Sequence, residues 1–268
     1  MDPDQSNFEG RASAEETPAR SARDTPGEPV SGPVALITGG GQGIGRGTVD
    51  ALLAKGWRVH VNARNPDKRE AVTASVGEAR AHGGDLVQPG VARSLVDRVL
   101  EVDGRLDGVV HAVGPYATAP LSGTSLEEFR ALWEGNVATA LELIEAARAP
   151  LRDMRGAYVF FGCAGLSTWR ARSVTSAYIS AKAALLVTVR ALALEEAAHG
   201  VRANMISPGF VPHPGAAPDT LSEALHGQIP LGRAAHMEEI TGAVRWLLSE
   251  EAAHIVGQNI EVSGGWML

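Results

Sequence analysis

The stretch VALITGGGQGIGRGTVDALLAKG, residues 34–56, places a glycine-rich turn between an apolar run and a segment with apolar side chains at helical spacing. Glycines at such a junction permit a tight turn and a close approach of the backbone. The first turn of the following helix presents free N–H groups and the positive end of its dipole to an anion. The stretch therefore predicts a strand–turn–helix unit that receives a phosphate or pyrophosphate group.

Five further apolar runs predict strands, at residues 58–63, 107–113, 157–161, 201–206 and 259–264. Segments such as SLVDRVLEV and EEITGAVRWLLSEE, with apolar residues every three or four positions, predict helices between them. Apolar strands that alternate with helices indicate a parallel sheet covered on both faces. We predict an α/β fold with a single doubly wound sheet of Rossmann type, in one dinucleotide-binding domain over residues 34–268.

Composition limits the possible functions. The chain has 268 residues, 44% hydrophobic and 21% charged, and a net charge of -7, which argues against general nucleic-acid binding. Its one cysteine cannot form an internal disulfide and no Cys/His spacing predicts a metal site, so we expect a reducing, cytoplasmic location. The most apolar stretch, ALLVTVRALAL, is interrupted by Arg190, so we expect no membrane span.

Residues 1–33 have a different composition, rich in Pro, Glu, Asp, Ser and Arg with a single aromatic residue. Such a segment buries too little apolar surface to fold, and it lacks the features of a signal or transit peptide. We predict a disordered N-terminal tail, either without a catalytic role or as a segment that binds a partner.

The end of the second strand, VNARNPDK, bears on the cofactor. In dinucleotide-binding folds an acidic residue here holds the ribose hydroxyls of NAD, whereas an arginine suits the 2′-phosphate of NADP. Ala63 and Arg64 occupy these positions, so we predict NADP(H). The position before Gly43 is Gln42 rather than a basic residue, which weakens the argument.

Tyr178 and Lys182, in SAYISAKAALL, stand four residues apart on a predicted helix, so their side chains share a face. A free tyrosine has a pKa of about 10. We expect the Lys182 ammonium to lower the pKa of Tyr178 toward the range useful for acid–base catalysis.

These motifs together resemble the short-chain dehydrogenase/reductase family from about Val34 to Leu268, with the pattern of bacterial 3-oxoacyl-carrier-protein reductases. The matching segments are TGGGQGIG, YISAK, Asn136 in ALWEGNVATA, ISPGFV, IPLGR and GQNIEVSGGW. The resemblance implies that Tyr178 transfers the substrate proton, that Lys182 holds the nicotinamide ribose, and that Asn136 anchors a water molecule. It also implies a homotetramer formed through the helices at 124–150 and 174–198.

The resemblance assigns further residues to the cofactor site. Asp85 matches the residue that contacts adenine, and Pro208 and Gly209 match the turn beside the nicotinamide. The remaining predicted cofactor residues are Thr38, Gly39, Gln42, Gly43, Ile44, Gly45, Ala112 and Gly114, together with Tyr178 and Lys182.

The chain departs from the family where the catalytic serine should stand, after the strand AYVFF. Alignment on that strand places Cys163 there, whereas counting thirteen residues back from Tyr178 gives Gly165. A thiol donates a weaker hydrogen bond than a hydroxyl, so this replacement should weaken stabilisation of the oxyanion. Ser167 is the alternative if the loop folds back, and the third possibility is that neither residue acts. As a small buried residue, Cys163 is expected to be inert rather than a covalent nucleophile.

A second departure is HAVGPY, where relatives have Asn-Asn-Ala-Gly. It resembles enoyl-carrier-protein reductases, although these space Tyr and Lys seven apart rather than four. We expect His111 to be structural, with general-acid catalysis as the alternative. Tyr116 is a candidate for the substrate pocket. So are Trp169, Arg170 and His213, although such loop residues are equally often solvated.

The predicted activity is NADPH-dependent reduction of a ketone, of the 3-oxoacyl or polyketide-like class and possibly bound to a carrier. The alternatives are reduction of a conjugated double bond or an imine, and a cofactor-binding scaffold without activity. The abundance of Ala, Gly and Arg indicates a GC-rich bacterial source and hints at secondary metabolism.

Overall fold

The computed structural model describes residues 32–168, 172–212 and 227–268. Within them a parallel sheet has the strand order β3-β2-β1-β4-β5-β6-β7. The strands are β1 Val34–Thr38, β2 Arg58–Asn62, β3 Ala81–His82, β4 Gly108–His111, β5 Ala157–Phe161, β6 Arg202–Pro208 and β7 Asn259–Val262. The predicted doubly wound α/β fold is confirmed.

Helices connect the strands and cover both faces of the sheet. They are α1 Gly43–Leu53, α2 Pro66–Val76, α3 Val91–Asp103, α4 Leu126–Trp133, α5 Thr139–Met154, α6 Ser176–Glu196 and α7 Met237–Leu248. One apolar core lies between the sheet and α3, α5 and α6, and a second lies between the sheet and α1, α2 and α7.

Two features of the fold were not predicted. The edge strand β3 has only two residues, Ala81 and His82, too few for a recognisable apolar run. The long helix expected around residues 124–150 is interrupted by one π-helical segment, Glu134–Ala138, between α4 and α5. Such segments are often found at functional sites, and this one contains Asn136.

Helix α6 and the turn after it, Ser176–His199, are long and apolar enough to cross a membrane, although 44% of the most apolar window is buried inside the protein. This helix meets the criterion by length and composition only, although Arg190 interrupts its apolar run. Leu185, Leu186 and Val189 of α6 pack in the same core cluster as residues of β5 and β6. The burial of a core helix accounts for the composition.

Some predictions concern residues outside the described part of the chain. These are the disordered tail, apart from Gly32 and Pro33, and the substrate-pocket candidates Trp169, Arg170 and His213. The remaining predicted site residues all lie within it.

Candidate active site

The carboxyl ends of β1 and β4 lie next to each other, because the chain winds outward from β1 in one direction and from β4 in the other. Ligands of doubly wound sheets bind at such a point. A groove of about 720 Å³ opens there. Among the predicted residues it is lined by Gly39, Gln42, Gly43, Ile44, Gly45, Arg64, Asp85, Ala112, Gly114, Tyr178, Lys182 and Pro208.

The glycine turn between β1 and α1 forms the floor of the groove. Gly39 and Gly43 have φ of 73° and 53°, in the left-handed region that favours glycine. Gly45 lies against the carbonyl of Gly39 without room for a Cβ, whereas a Cβ on Gly43 would meet open space. The first turn of α1 has no acidic residue and no side-chain cap from Gln42, so its N–H groups are free for a pyrophosphate.

Two predicted cofactor residues lie behind the groove surface. Thr38 is buried and its hydroxyl is 2.8 Å from Nδ1 of His111. Gly209 packs against the backbone of Ser263 without room for a Cβ. Neither residue is among those that line the groove.

One end of the groove is basic. The Arg64 side chain is 75% exposed and its Nη1 donates to Oδ2 of Asp85 at 3.0 Å. Lys68, in the first turn of α2, contacts the side-chain oxygen of Gln42 and also lines the groove. Lys68 is not among the predicted cofactor residues, although the cap residue Asn65 and the following Pro66 are recognisable signals of a helix start.

Tyr178 and Lys182 lie at the other end of the groove, on the first turns of α6. Nζ of Lys182 donates to the carbonyl of Phe161 at 2.8 Å and lies 5.7 Å from the centre of the Tyr178 ring. The ring of Tyr116 packs edge-on against Tyr178, with centroids 4.9 Å apart.

The expected lowering of the Tyr178 pKa is wrong for this structure. Burial raises the pKa of Tyr178 above its ordinary value, and burial lowers the pKa of Lys182 to about 8. The ammonium of Lys182 is directed to the Phe161 carbonyl, so it does not offset the burial of the phenol. Tyr178 is therefore protonated at neutral pH, as a proton donor must be.

Asn136 lies in the π-helical segment behind the groove. Its Nδ2 donates to the carbonyls of Pro115 at 3.0 Å and Leu132 at 2.9 Å. Its Oδ1 is buried without a hydrogen-bond partner and lies against Gly114. A buried acceptor without a partner is rare; this one suits the water-anchoring role that the resemblance implies.

Cys163 lies two residues beyond β5, close enough to Tyr178 and Lys182 to affect their pKa values. Burial raises the pKa of its thiol, outweighing the opposite effects of Arg172 and Lys182. The thiol is therefore protonated and unreactive at neutral pH. The alternative, Ser167, is exposed, and its hydroxyl accepts a hydrogen bond from Nδ2 of Asn259 at 2.8 Å.

His111 is 1% exposed at the end of β4. Its Nδ1 pairs with the Thr38 hydroxyl, and its Nε2 is 3.3 Å from the Thr139 hydroxyl. Burial lowers the pKa of His111 to about 3. A neutral ring bonded on both sides is a structural link between β1, β4 and α5, not a general acid.

Comparison with known proteins identifies the family to which the chain belongs. A family model described as enoyl-(acyl carrier protein) reductase matches residues 39–267. The chain belongs to the short-chain dehydrogenase/reductase family. It is therefore an oxidoreductase of a family that binds a nicotinamide cofactor, NAD or NADP.

The relatives differ in their reactions. A 2,5-dichloro-2,5-cyclohexadiene-1,4-diol dehydrogenase from Sphingobium indicum is 33% identical over 88% of this chain and 98% of its own length. The 3-oxoacyl-[acyl-carrier-protein] reductase FabG of Escherichia coli is 29% identical over 87% of this chain and 97% of its own. A short-chain type dehydrogenase/reductase from Mycobacterium ulcerans superposes with a TM-score of 0.80 at 29% identity, over 88% and 90% of the two chains.

Proposed function

We propose that the chain is an NADPH-dependent reductase of a ketone of the 3-oxoacyl or polyketide-like class. The observation that carries the proposal is the convergence of Tyr178 and Lys182 at one end of a groove that begins at the glycine turn, with the unpartnered Oδ1 of Asn136 directly behind Gly114 of the groove wall. A relative of similar length is a 3-oxoacyl-carrier-protein reductase, which supports the substrate class.

The preference for NADPH rests on the basic end of the groove. Arg64 and Lys68 are both exposed there, and Ala63 stands where an acidic residue would repel a 2′-phosphate. The neighbouring carboxylate, Asp85, is already paired with Arg64. When bound, the cofactor supplies a hydride to the carbonyl carbon.

The side chains at the other end handle the proton. Tyr178 donates its hydroxyl proton to the carbonyl oxygen as negative charge develops there. Lys182 and Asn136 position the groups that return a proton to Tyr178, through the ribose and a water molecule respectively. Cys163 contributes a weak hydrogen bond at the place of the family serine.

The description of the matching family model favours a second reaction, the reduction of a conjugated double bond or an imine. The matching family model carries the description of an enoyl reductase, and the segment HAVG together with the missing serine points the same way. Reduction of a conjugated double bond or an imine therefore belongs in the same assay. The remaining alternative is a scaffold that binds the cofactor without turnover.

The first test is a fluorescence titration with NADPH and NADH, on wild type and on Arg64→Gln, Lys68→Gln and the control Lys55→Gln. Each variant in the groove should weaken NADPH binding about tenfold, the loss expected for one charge-assisted hydrogen bond, and leave NADH binding unchanged. Preference for NADH in wild type would contradict the cofactor assignment.

The second test compares wild type and Tyr178→Phe on a panel of 3-oxoacyl ketones, enones and cyclic imines. Tyr178→Phe should lower kcat for ketones by about 10²-fold or more and retain NADPH binding, because the phenol acts only in the chemical step. Turnover of enones alone would favour the second reaction. NADPH binding with no turnover on any substrate would favour the scaffold.

A further inference from the structure

A second cavity, of about 360 Å³, lies beyond the edge strand β3, between α2 and α3. It is lined by Arg69, Ala81, His82, Gly83, Gly84, Val91, Ser94, Leu95 and Arg98. Of these, only Gly84 also lines the cofactor groove. No acidic side chain is among the described residues that line it.

A buried chain of hydrogen bonds ends in this cavity. Asp103 is held as a carboxylate because the Arg80 guanidinium beside it lowers its pKa far below the usual range, with further hydrogen bonding from His60. His60 bonds Asp103 through Nε2 at 2.8 Å, and its Nδ1 bonds Nε2 of His82 at 2.9 Å.

The carboxylate determines the positions of the protons along this chain. It can only accept, so Nε2 of His60 carries a hydrogen and Nδ1 of the neutral ring accepts one from Nε2 of His82. Burial lowers the pKa of His82 to about 4, so this ring is also neutral at pH 7. Nδ1 of His82 is then a bare acceptor, unbonded among the described residues, on a side chain of the cavity wall that is only 6% exposed.

Two arginines flank this acceptor. The guanidinium of Arg69 lies over Gly83, and Arg98 is near enough to lower the pKa of His82. Neither arginine makes an ion pair with a described residue, in contrast to Arg58 and Arg80, which both bind Asp103. The cavity thus combines one ring-nitrogen acceptor with two arginines that have no ion-pair partner in the described part of the chain.

We propose that this cavity is a binding site for inorganic phosphate, separate from the cofactor groove. The anionic oxygens of phosphate would accept hydrogen bonds from Arg69 and Arg98. Phosphate also keeps at least one hydroxyl at neutral pH, and this hydroxyl would donate to Nδ1 of His82. Sulfate has no such hydrogen at this pH, so it would leave the acceptor facing an anionic oxygen.

The test is isothermal titration calorimetry of the full chain at pH 7.5, with inorganic phosphate or sulfate at constant ionic strength. We expect phosphate to bind at least about tenfold more tightly than sulfate. With sulfate, the hydrogen bond from the phosphate hydroxyl to Nδ1 of His82 is replaced by repulsion between Nδ1 and an anionic oxygen. Equal affinities for the two anions, or no phosphate binding, would overturn the proposal.

Three variants locate the site. Arg98→Gln, on the exposed face of α3, should weaken phosphate binding about tenfold. Arg245→Gln removes the same charge from the exposed face of α7 and should change nothing. Lys68→Gln reports on the cofactor groove, so a loss of phosphate binding in Lys68→Gln but not in Arg98→Gln would overturn the assignment to this cavity.

A fourth variant tests the acceptor. His82→Gln can offer either an oxygen or an N–H to the anion, so it should reduce the preference for phosphate over sulfate several-fold. Circular dichroism confirms that the variant is folded. A folded variant with an unchanged preference would contradict the role of Nδ1, and the Arg98→Gln result stands independently.

Discussion

At the scale of single residues, Cys163 stands where we propose that the catalytic serine of the family is replaced. Cys163 is buried beside Tyr178 and Lys182, and its thiol is protonated because burial raises its pKa. The hydroxyl of the other candidate, Ser167, accepts a hydrogen bond from Asn259 at the start of β7. We therefore keep Cys163 as the residue that would face the substrate carbonyl.

Cys163→Ser should raise kcat for ketone reduction by about tenfold with little change in KM, because a hydroxyl is the stronger donor to an oxyanion. Steady-state kinetics on the preferred ketone measure this. Cys163→Ala serves as the matched control and should lower kcat slightly. An equal rate in the Ser and Ala variants would mean that this position does not contact the carbonyl.

At the scale of elements, His111 at the end of β4 connects that strand to β1 and α5. Its two ring nitrogens lie against the hydroxyls of Thr38 at the end of β1 and Thr139 at the start of α5. These contacts connect the glycine turn to the π-helical segment that carries Asn136. His111 thus connects the strand before the glycine turn to the start of α5.

His111→Phe should lower the free energy of unfolding by about 1–3 kcal/mol, because the buried Thr38 hydroxyl loses its partner. Urea unfolding followed by circular dichroism measures the loss. Thr188→Val is the control, since that hydroxyl bonds only the Ala184 carbonyl within α6. If His111→Phe lowers the free energy of unfolding no more than this control does, the contacts of His111 with Thr38 and Thr139 contribute little to stability.

The elements were predictable to different degrees. The strand β5 has the predicted bounds, 157–161, because a continuous apolar run between Gly156 and Gly162 defines it well. The two residues of β3 are recognisable only from their pairing with Val61 and Asn62. The π-helical segment Glu134–Ala138 was not predicted, because the apolar spacing around it is that of a continuous helix.

At the scale of the whole molecule, buried histidines make stability depend on pH. Burial lowers the pKa of His82 to about 4 and of His111 to about 3, from 6.5. His60 and Arg98 act on His82 in the same direction, as does Lys182 on His111. Since the unfolded chain binds these protons first, stability should be lost as pH falls below about 6.5.

Thermal unfolding between pH 7.5 and pH 4, in buffers without phosphate, should therefore show a falling Tm and a loss of a few kcal/mol. His82→Gln should flatten part of this dependence, and the exposed His254→Gln should leave it unchanged. A Tm that is independent of pH down to about 5 would contradict the low pKa values of both buried rings.

Several apolar side chains are exposed on the helices that we propose to form the interface between chains. Trp133 at the end of α4 and Leu141 of α5 are each 42% exposed, and Val187 and Leu194 of α6 are 55% and 82% exposed. These helices are the ones through which we propose a homotetramer. Exposed apolar surface of this kind commonly marks an interface between chains.

Leu194→Lys should convert the tetramer to smaller species, because a charge would be buried at the proposed interface. Size-exclusion chromatography with light scattering gives the mass. Val102→Lys, at an apolar position of α3 that is 41% exposed, should leave the mass unchanged. A monomeric wild type would contradict the tetramer directly.

The longer strands and helices, the glycine turn and the spacing of Tyr178 and Lys182 follow from the sequence, because each depends on the pattern of residues along one short segment of the chain. The tertiary structure alone decided which distant side chains meet. It directed Lys182 to the Phe161 carbonyl, left Oδ1 of Asn136 unpartnered, brought Lys68 to the cofactor groove and linked His82 to Asp103. These contacts join residues that are far apart in the sequence, and the pKa values of the buried groups depend on them and on burial. The local spacing of residues predicts neither the contacts nor the burial.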